Sequence, residues 1–176
     1  MQTDNSFLSK KIFLRRHFLS NKNVNVLNCY AGSNKIWNEI KLKTEAEINV
    51  LNIDKKNYSD NLKGDNLKFL MGMDLSKFDV IDLDAYGVPY KQLKFILNKK
   101  YNGIIFITFI QSLLGTLPMG MLLDLGFTKK MFKKCKTILC IKGFDKFCGW
   151  LGLYGIKKLS HISIGRKHYI ALKIGG

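Results

Sequence analysis

Apolar residues in this chain gather in short runs divided by polar turns, and the runs alternate between two kinds. Val24-Asn25-Val26-Leu27-Asn28 reads as a strand, as does Ile48-Asn49-Val50-Leu51-Asn52-Ile53, which ends at Asp54. Phe78-Asp79-Val80-Ile81-Asp82-Leu83 reads as a third strand. Ile104 to Phe109 is a continuous apolar run of the kind a buried parallel strand shows. Between these, 34–43 reads as a helix with Ile36, Trp37, Ile40 and Leu42 as apolar positions, and 90–99 reads as another. Beyond Leu117 the pattern changes. Residues 117–125 and 128–150 read as helices, and two alternating runs, 159–165 and 167–174, form a terminal antiparallel hairpin turning at Gly165-Arg166. Strands alternating with helical crossovers predict an α/β fold with a mostly parallel central sheet and helices on both faces. The 176 residues suit one domain, 1–176, and no repeat or low-complexity linker divides them.

Composition keeps this picture and adds a partner. At 47% hydrophobic and 24% charged residues the chain is globular in character. Its net charge of +16 is unevenly spread. A basic N-terminal extension, 1–22, carries five Lys/Arg against Asp4; the middle, 23–126, sets twelve Lys against eleven acids; a basic C-terminal part, 127–176, sets twelve Lys/Arg against Asp145 alone. A near-neutral middle beside a basic tail suits a polyanion held next to a pocket. Lys129, Lys130, Lys133, Lys134 and Lys136 are the candidate phosphate contacts. Two plainer readings stand beside this one: a genome rich in Lys and Asn codons, and lysines that form the wet face of a helix.

Cys29, Cys135, Cys140 and Cys148 form no Cys-x-x-Cys pair and have no His at ligand spacing, so neither a metal site nor a disulfide framework is expected. Reduced thiols fit a cytoplasmic protein. Arg15, Arg16 and His17 interrupt what would be the apolar core of a secretory signal. Residues 102–123 carry no charge and are long enough to span a bilayer, but Gln111, Ser112, Gly115, Thr116 and Pro118 break the run, and a buried strand followed by a separate segment is expected instead of a membrane span.

In an open parallel sheet, ligands bind beyond the carboxyl ends of the strands. Three strand ends here carry suggestive residues. In Asn28-Cys29-Tyr30-Ala31-Gly32-Ser33-Asn34 a single glycine allows close backbone approach, while the Gly-x-Gly-x-x-Gly of a pyrophosphate site is missing. Asp54 follows Gly32 by 22 residues, a spacing at which a carboxylate accepts ribose hydroxyls, the favoured reading, with a helix N-cap as the plainer alternative. Asp82-Leu83-Asp84-Ala85-Tyr86-Gly87 places two acids and an aromatic at a strand end, to receive an amine and a flat base or to make an Asx-type turn with a packing tyrosine. His161 and His168 belong to the terminal hairpin.

Taken together, Val-Leu-Asn-Cys-Tyr-Ala-Gly-Ser, Asn-Ile-Asp, Lys-Gly-Asp-Asn and Asp-Leu-Asp-Ala-Tyr-Gly-Val-Pro resemble, in order over residues 24–110, the class I methyltransferases that use S-adenosylmethionine. The last block is similar to the Asp-Pro-Pro-Tyr signature of amino-group methyltransferases, and more closely to the Asp-Leu-Asp-Pro-Phe/Tyr-Gly block of tRNA guanine-N2 dimethyltransferases. The resemblance implies a Rossmann-like methyltransferase fold, S-adenosylmethionine as cofactor, and a nucleic acid, RNA more than DNA, methylated on an exocyclic amine. By position, Asn28, Ala31, Gly32 and Ser33 would line the methionine and sulfonium end, and Asp54 would hold the ribose. Asp65 would meet the adenine amine with Asn66 beside it, Asp82 would join the cofactor-binding set, and Asp84, Ala85 and Tyr86 would receive the target. Asn28 replaces the usual first-strand acid, Asn34 a later glycine, and Ala85 the proline after the catalytic acid. Those departures sustain the alternative of a catalytically degenerate scaffold that only binds nucleic acid; a small-molecule methyltransferase is disfavoured by the charge. The second domain of the tRNA enzymes has no room in 176 residues, which leaves target recognition open to a partner subunit.

Overall fold

Why the middle of the chain forms a sheet is plain from its β-branched, unbroken apolar runs. The computed structural model describes residues 7–19, 23–56, 58, 60–111, 119–135 and 138–175. In chain order the elements are α1 (Leu8–Phe18), β1 (Val24–Cys29), α2 (Lys35–Lys41), β2 (Ile48–Asp54), β3 (Leu62–Lys63), α3 (Asn66–Gly72), β4 (Val80–Leu83), α4 (Tyr90–Asn98) and β5 (Gly103–Ile110). There follow α5 (Met119–Asp124), α6 (Lys129–Lys134), α7 (Ile138–Gly152), β6 (Ile156–Ile164) and β7 (Lys167–Ile174). The strands form one seven-stranded sheet in the order β3-β2-β1-β4-β5-β7-β6. The first five are parallel; β7 runs antiparallel to β5, and β6 antiparallel to β7. The expected α/β class, parallel core and C-terminal hairpin are all present, with Gly165 taking the turn at φ 56°.

The faces differ. On one, Leu83, Ile105 and Phe109 pack with Leu70 of α3, Leu93 of α4 and Phe147 of α7 in a wholly apolar cluster. The spacing of buried Tyr90, Leu93, Ile96 and Leu97 makes α4 amphipathic. On the other face α1 and α2 cover Val26, Val80 and Phe106, contributing Ile12, Leu14, Trp37 and Ile40.

Three elements depart from the sequence expectation. Residues 8–18 of the supposed extension are helix α1, with Lys11 and Arg15 on its buried side. A short helix, α3, follows Asp65, whose side chain accepts the Leu67 and Lys68 N–H groups as an N-cap. The expected 128–150 helix is two, and the first begins at Thr128, which caps it through the Met131 N–H. The uncharged 102–123 stretch divides into β5 and α5, with 112–118 outside the described residues; among those described, no helix is long and apolar enough to cross a membrane.

Candidate functional site

The chain order reverses between β1 and β4, and their carboxyl ends open a crevice at that point, where a doubly wound sheet holds its ligand. A cleft of about 340 Å³ lies there, within the size range of small-molecule sites. The turn from β1 into α2 forms one wall. Tyr30, Gly32 and Asn34 are left-handed at φ 67°, 53° and 54°. Glycine takes this conformation freely and asparagine tolerates it, whereas for tyrosine it is strained. The turn is held to the next strand: the Ala31 N–H donates to the Ile53 carbonyl (3.1 Å) and the Gly32 N–H to Asp54 Oδ2 (2.9 Å). Asp54 Oδ1 accepts from the Lys56 N–H (2.8 Å), so one carboxylate ties both turns and presents its remaining lone pairs to the cleft.

Behind the turn runs a polar row. Asn52, Asn28 and Asp82 stand side by side in register on β2, β1 and β4, all buried. Asn28 Nδ2 donates to Asn52 Oδ1 (2.9 Å) and Asn34 Oδ1 (3.0 Å). An acid at position 28 would set a second carboxylate beside Asp82, and like charges opposite one another destabilise a sheet. The neutral amide therefore suits this neighbour.

The other wall is ionic. Arg15 of α1 grips Asp82 with two hydrogen bonds, Nε to Oδ2 (2.7 Å) and Nη2 to Oδ1 (2.8 Å), and the Trp37 indole N–H donates to the same Oδ2 (2.8 Å). Two residues on, Asp84 Oδ2 meets Lys11 Nζ at 2.8 Å and Arg15 Nη2 at 3.5 Å, while Asp84 Oδ1 accepts from the Thr108 hydroxyl of β5 (2.6 Å). Burial pushes the Asp84 carboxyl up, but Arg15, Lys11 and the hydrogen bonds from Lys11 and Thr108 outweigh it and hold the group below the usual carboxylate range. Asp84 is thus a fixed anion. Burial likewise pushes the Cys29 thiol far up, which removes it as a nucleophile.

Asn28, Ala31, Gly32, Ser33, Asp54, Asp84, Ala85 and Tyr86 all line the cleft. Asp65, Asn66 and Asp82 do not. Asp82 lies outside the lining, its Oδ2 accepting from Arg15 and Trp37 and its Oδ1 from Arg15. Asp65 is spent on its cap and a 3.5 Å ion pair with Lys55. Asn66, 1% exposed, lies against the Tyr30 side chain with no partner of normal geometry for either carboxamide atom. Lys129, Lys130, Lys133 and Lys134 are exposed on α6 and are not among the residues lining the cleft, and Lys136 falls outside the described residues. Lys11, Trp37, Thr108, Lys167 and Tyr169 line the cleft without having been singled out. The last two arrive through the β5–β7 register, which sets Tyr169 opposite Thr108.

No family model matches the sequence, and no curated protein matches it. Among solved structures, a SAM-dependent methyltransferase from Archaeoglobus fulgidus is similar over 94% of this chain and 93% of that one, at TM-score 0.52 and 12% identity. Another from Aquifex aeolicus matches over 99% and 100%, at TM-score 0.51 and 13% identity. A ribosomal protein methylase from Lactobacillus delbrueckii subsp. bulgaricus matches over 99% and 81%, at TM-score 0.56 and 13% identity. The chain spans 55% of a carbon methyltransferase, CurJ, at TM-score 0.49. At such identities the likeness is one of fold: this chain shares the Rossmann-like α/β fold of these structures.

Proposed function

We propose that the protein is an S-adenosylmethionine-dependent methyltransferase that modifies an exocyclic amine of a nucleic-acid base, RNA in preference to DNA. One observation carries the reading: the glycine turn, Asp54 and the Asp84–Tyr86 segment converge on a single cleft at the switch point of a methyltransferase-type sheet. The methyltransferase titles of the fold neighbours support it. At the sugar and methionine end the residues fit the donor. Asp54 keeps lone pairs for two hydroxyls, Gly32 brings no Cβ to the close approach, and Asn28 and Ser33 offer polar atoms. The adenine end fits less well, because Asp65 and Asn66 stand outside the lining.

When bound, the donor supplies a methyl group on a cationic sulfur. The chain's own work is positioning. Asp84 and the Ala85 carbonyl orient the acceptor amine, and the fixed negative charge of Asp84 favours the cation that forms on nitrogen. Tyr86, 78% exposed at the mouth, stacks on the base, worth about 1–3 kcal/mol. The α6 lysines track phosphates, a partner subunit adds target recognition, and the reduced thiols of Cys29 and Cys148 suit a cytoplasmic setting.

Calorimetry with S-adenosylmethionine, followed by tritium-methyl transfer onto tRNA, rRNA and DNA, tests the reading. Donor binding with label in RNA is the expected result, and Asp84→Asn should abolish the label while leaving donor affinity within a few-fold. A second reading, a non-catalytic nucleic-acid-binding scaffold, is favoured by the engagement of both Asp84 oxygens; it predicts RNA binding without donor binding.

A further inference from the structure

We infer that the pocket at the end of β4 is a seat for a cationic N–H donor, and that Lys11 fills it from within, as a stand-in that an acceptor amine must displace. The two cations facing the acids are held differently. Arg15 is 2% exposed, makes a two-pronged pair with Asp82, donates from Nη1 to the Lys11 carbonyl (3.1 Å) and lies outside the cleft lining. It is built in. Lys11 lines the cleft and, among the described residues, rests on one ion pair, Nζ to Asp84 Oδ2 at 2.8 Å, with the Tyr169 ring centroid 5.1 Å away.

Two carboxylates and two cations leave this buried group neutral. Withdrawing the Lys11 ammonium takes the nearer of its two paired cations from Asp84, whose side chain is only 10% exposed, beside the Thr108 oxygen and a Tyr169 ring that Lys167 Nζ also approaches, 5.9 Å from the centroid. Such a pocket selects a positively charged N–H group over a neutral one of the same size. An amine becomes a cation as it is alkylated, so the seat matches the charge that develops on the acceptor more closely than the amine that enters. The role in catalysis rests on the methyltransferase reading; the seat itself is testable without the donor.

Lys11→Ala removes the atoms of n-propylammonium from the side chain. Propylammonium chloride should raise the Tm of Lys11→Ala by about 3–6 °C at ten times its Kd. It should leave the unsubstituted protein and the Lys11→Ala/Asp84→Asn pair unmoved. Tetramethylammonium chloride, which has the charge but no N–H, should give no rise. The inference is overturned by no response in Lys11→Ala, by an equal response in either control protein, or by an equal response to tetramethylammonium. If Lys11→Ala does not fold in buffer, its refolding yield with and without propylammonium is the readout, and no gain overturns the inference equally. Calorimetry of the unsubstituted protein with S-adenosylmethionine separates the two ideas. Absent donor binding sinks the methyltransferase reading and leaves the seat standing, whereas donor binding without amine rescue sinks the seat alone.

Discussion

The two ends of the cleft are made of different materials. At the β1–β2 end the contacts are backbone N–H groups, short amides and a single carboxylate, and Asp54 keeps free acceptor capacity. At the β4–β5 end charged side chains hold one another before any ligand arrives: Arg15 on Asp82, Lys11 and Thr108 on Asp84. The first end depends on backbone conformation and shape, so it tolerates change in all but a few positions. The second is a buried ionic lattice, in which removing one member strands another.

The largest effect is therefore expected at the closed end. Arg15→Met should cost about 3–5 kcal/mol in urea unfolding, because Asp82 and much of Asp84's compensation are left in the interior. Arg15→Met with Asp82→Leu should recover much of that loss. If the single and double variants are equally unstable, packing by α1 is responsible and the ionic contrast fails. At the open end, Asp54→Ala should weaken S-adenosylmethionine binding about 10–100-fold, the value of hydrogen bonds to a charged group, with a much smaller stability change. An unchanged Kd would remove Asp54 from the site.

His168 offers a control outside both ends. It is buried between Ser163 and Gln111 under the Phe144 ring, with burial and then His161 pushing its pKa below the ordinary imidazole value. Because the folded-state pKa is the lower one, the fold favours neutral His168. That stabilisation is complete above the unfolded pKa of about 6.5 and is lost as pH falls from there through the folded value. Thermal midpoints should drop between pH 7 and 5, and His168→Gln should flatten the drop. A slope unchanged by the substitution would assign it to other groups. Smallest per residue are the α6 lysines: each of Lys129, Lys130, Lys133 and Lys134 changed to Ala should lower the log–log salt slope of RNA affinity by about 0.7 for single strands. Slopes that stay put would move the polyanion surface elsewhere.

This contrast also decides what was legible in the sequence. The strands of the parallel core followed from the apolar runs, and the open end followed from the Gly32 turn and the Asp54 spacing, because both are local. The closed end is not local. α1 hides its cations on the sheet side with Ile12 and Leu14, so its helical period carries no apolar stripe and 1–22 read as a basic extension. The Trp37 position was marked as apolar, which it is, but its N–H meets an acid 45 residues away. Tyr169 and Lys167 reach the cleft through an antiparallel register that alternation alone leaves open. A strand-end acid such as Asp82 reads the same in sequence whether a ligand or an arginine uses it.

Arg15 and Asp82 are 67 residues apart in the chain, and this orders assembly. Helix α1 has no counter-charge until β4 lies beside β1, so it docks on a sheet that has already begun to form. As a clasp on the finished structure, its loss should hasten opening more than it delays refolding, so that the protein's lifetime, more than its rate of formation, would change.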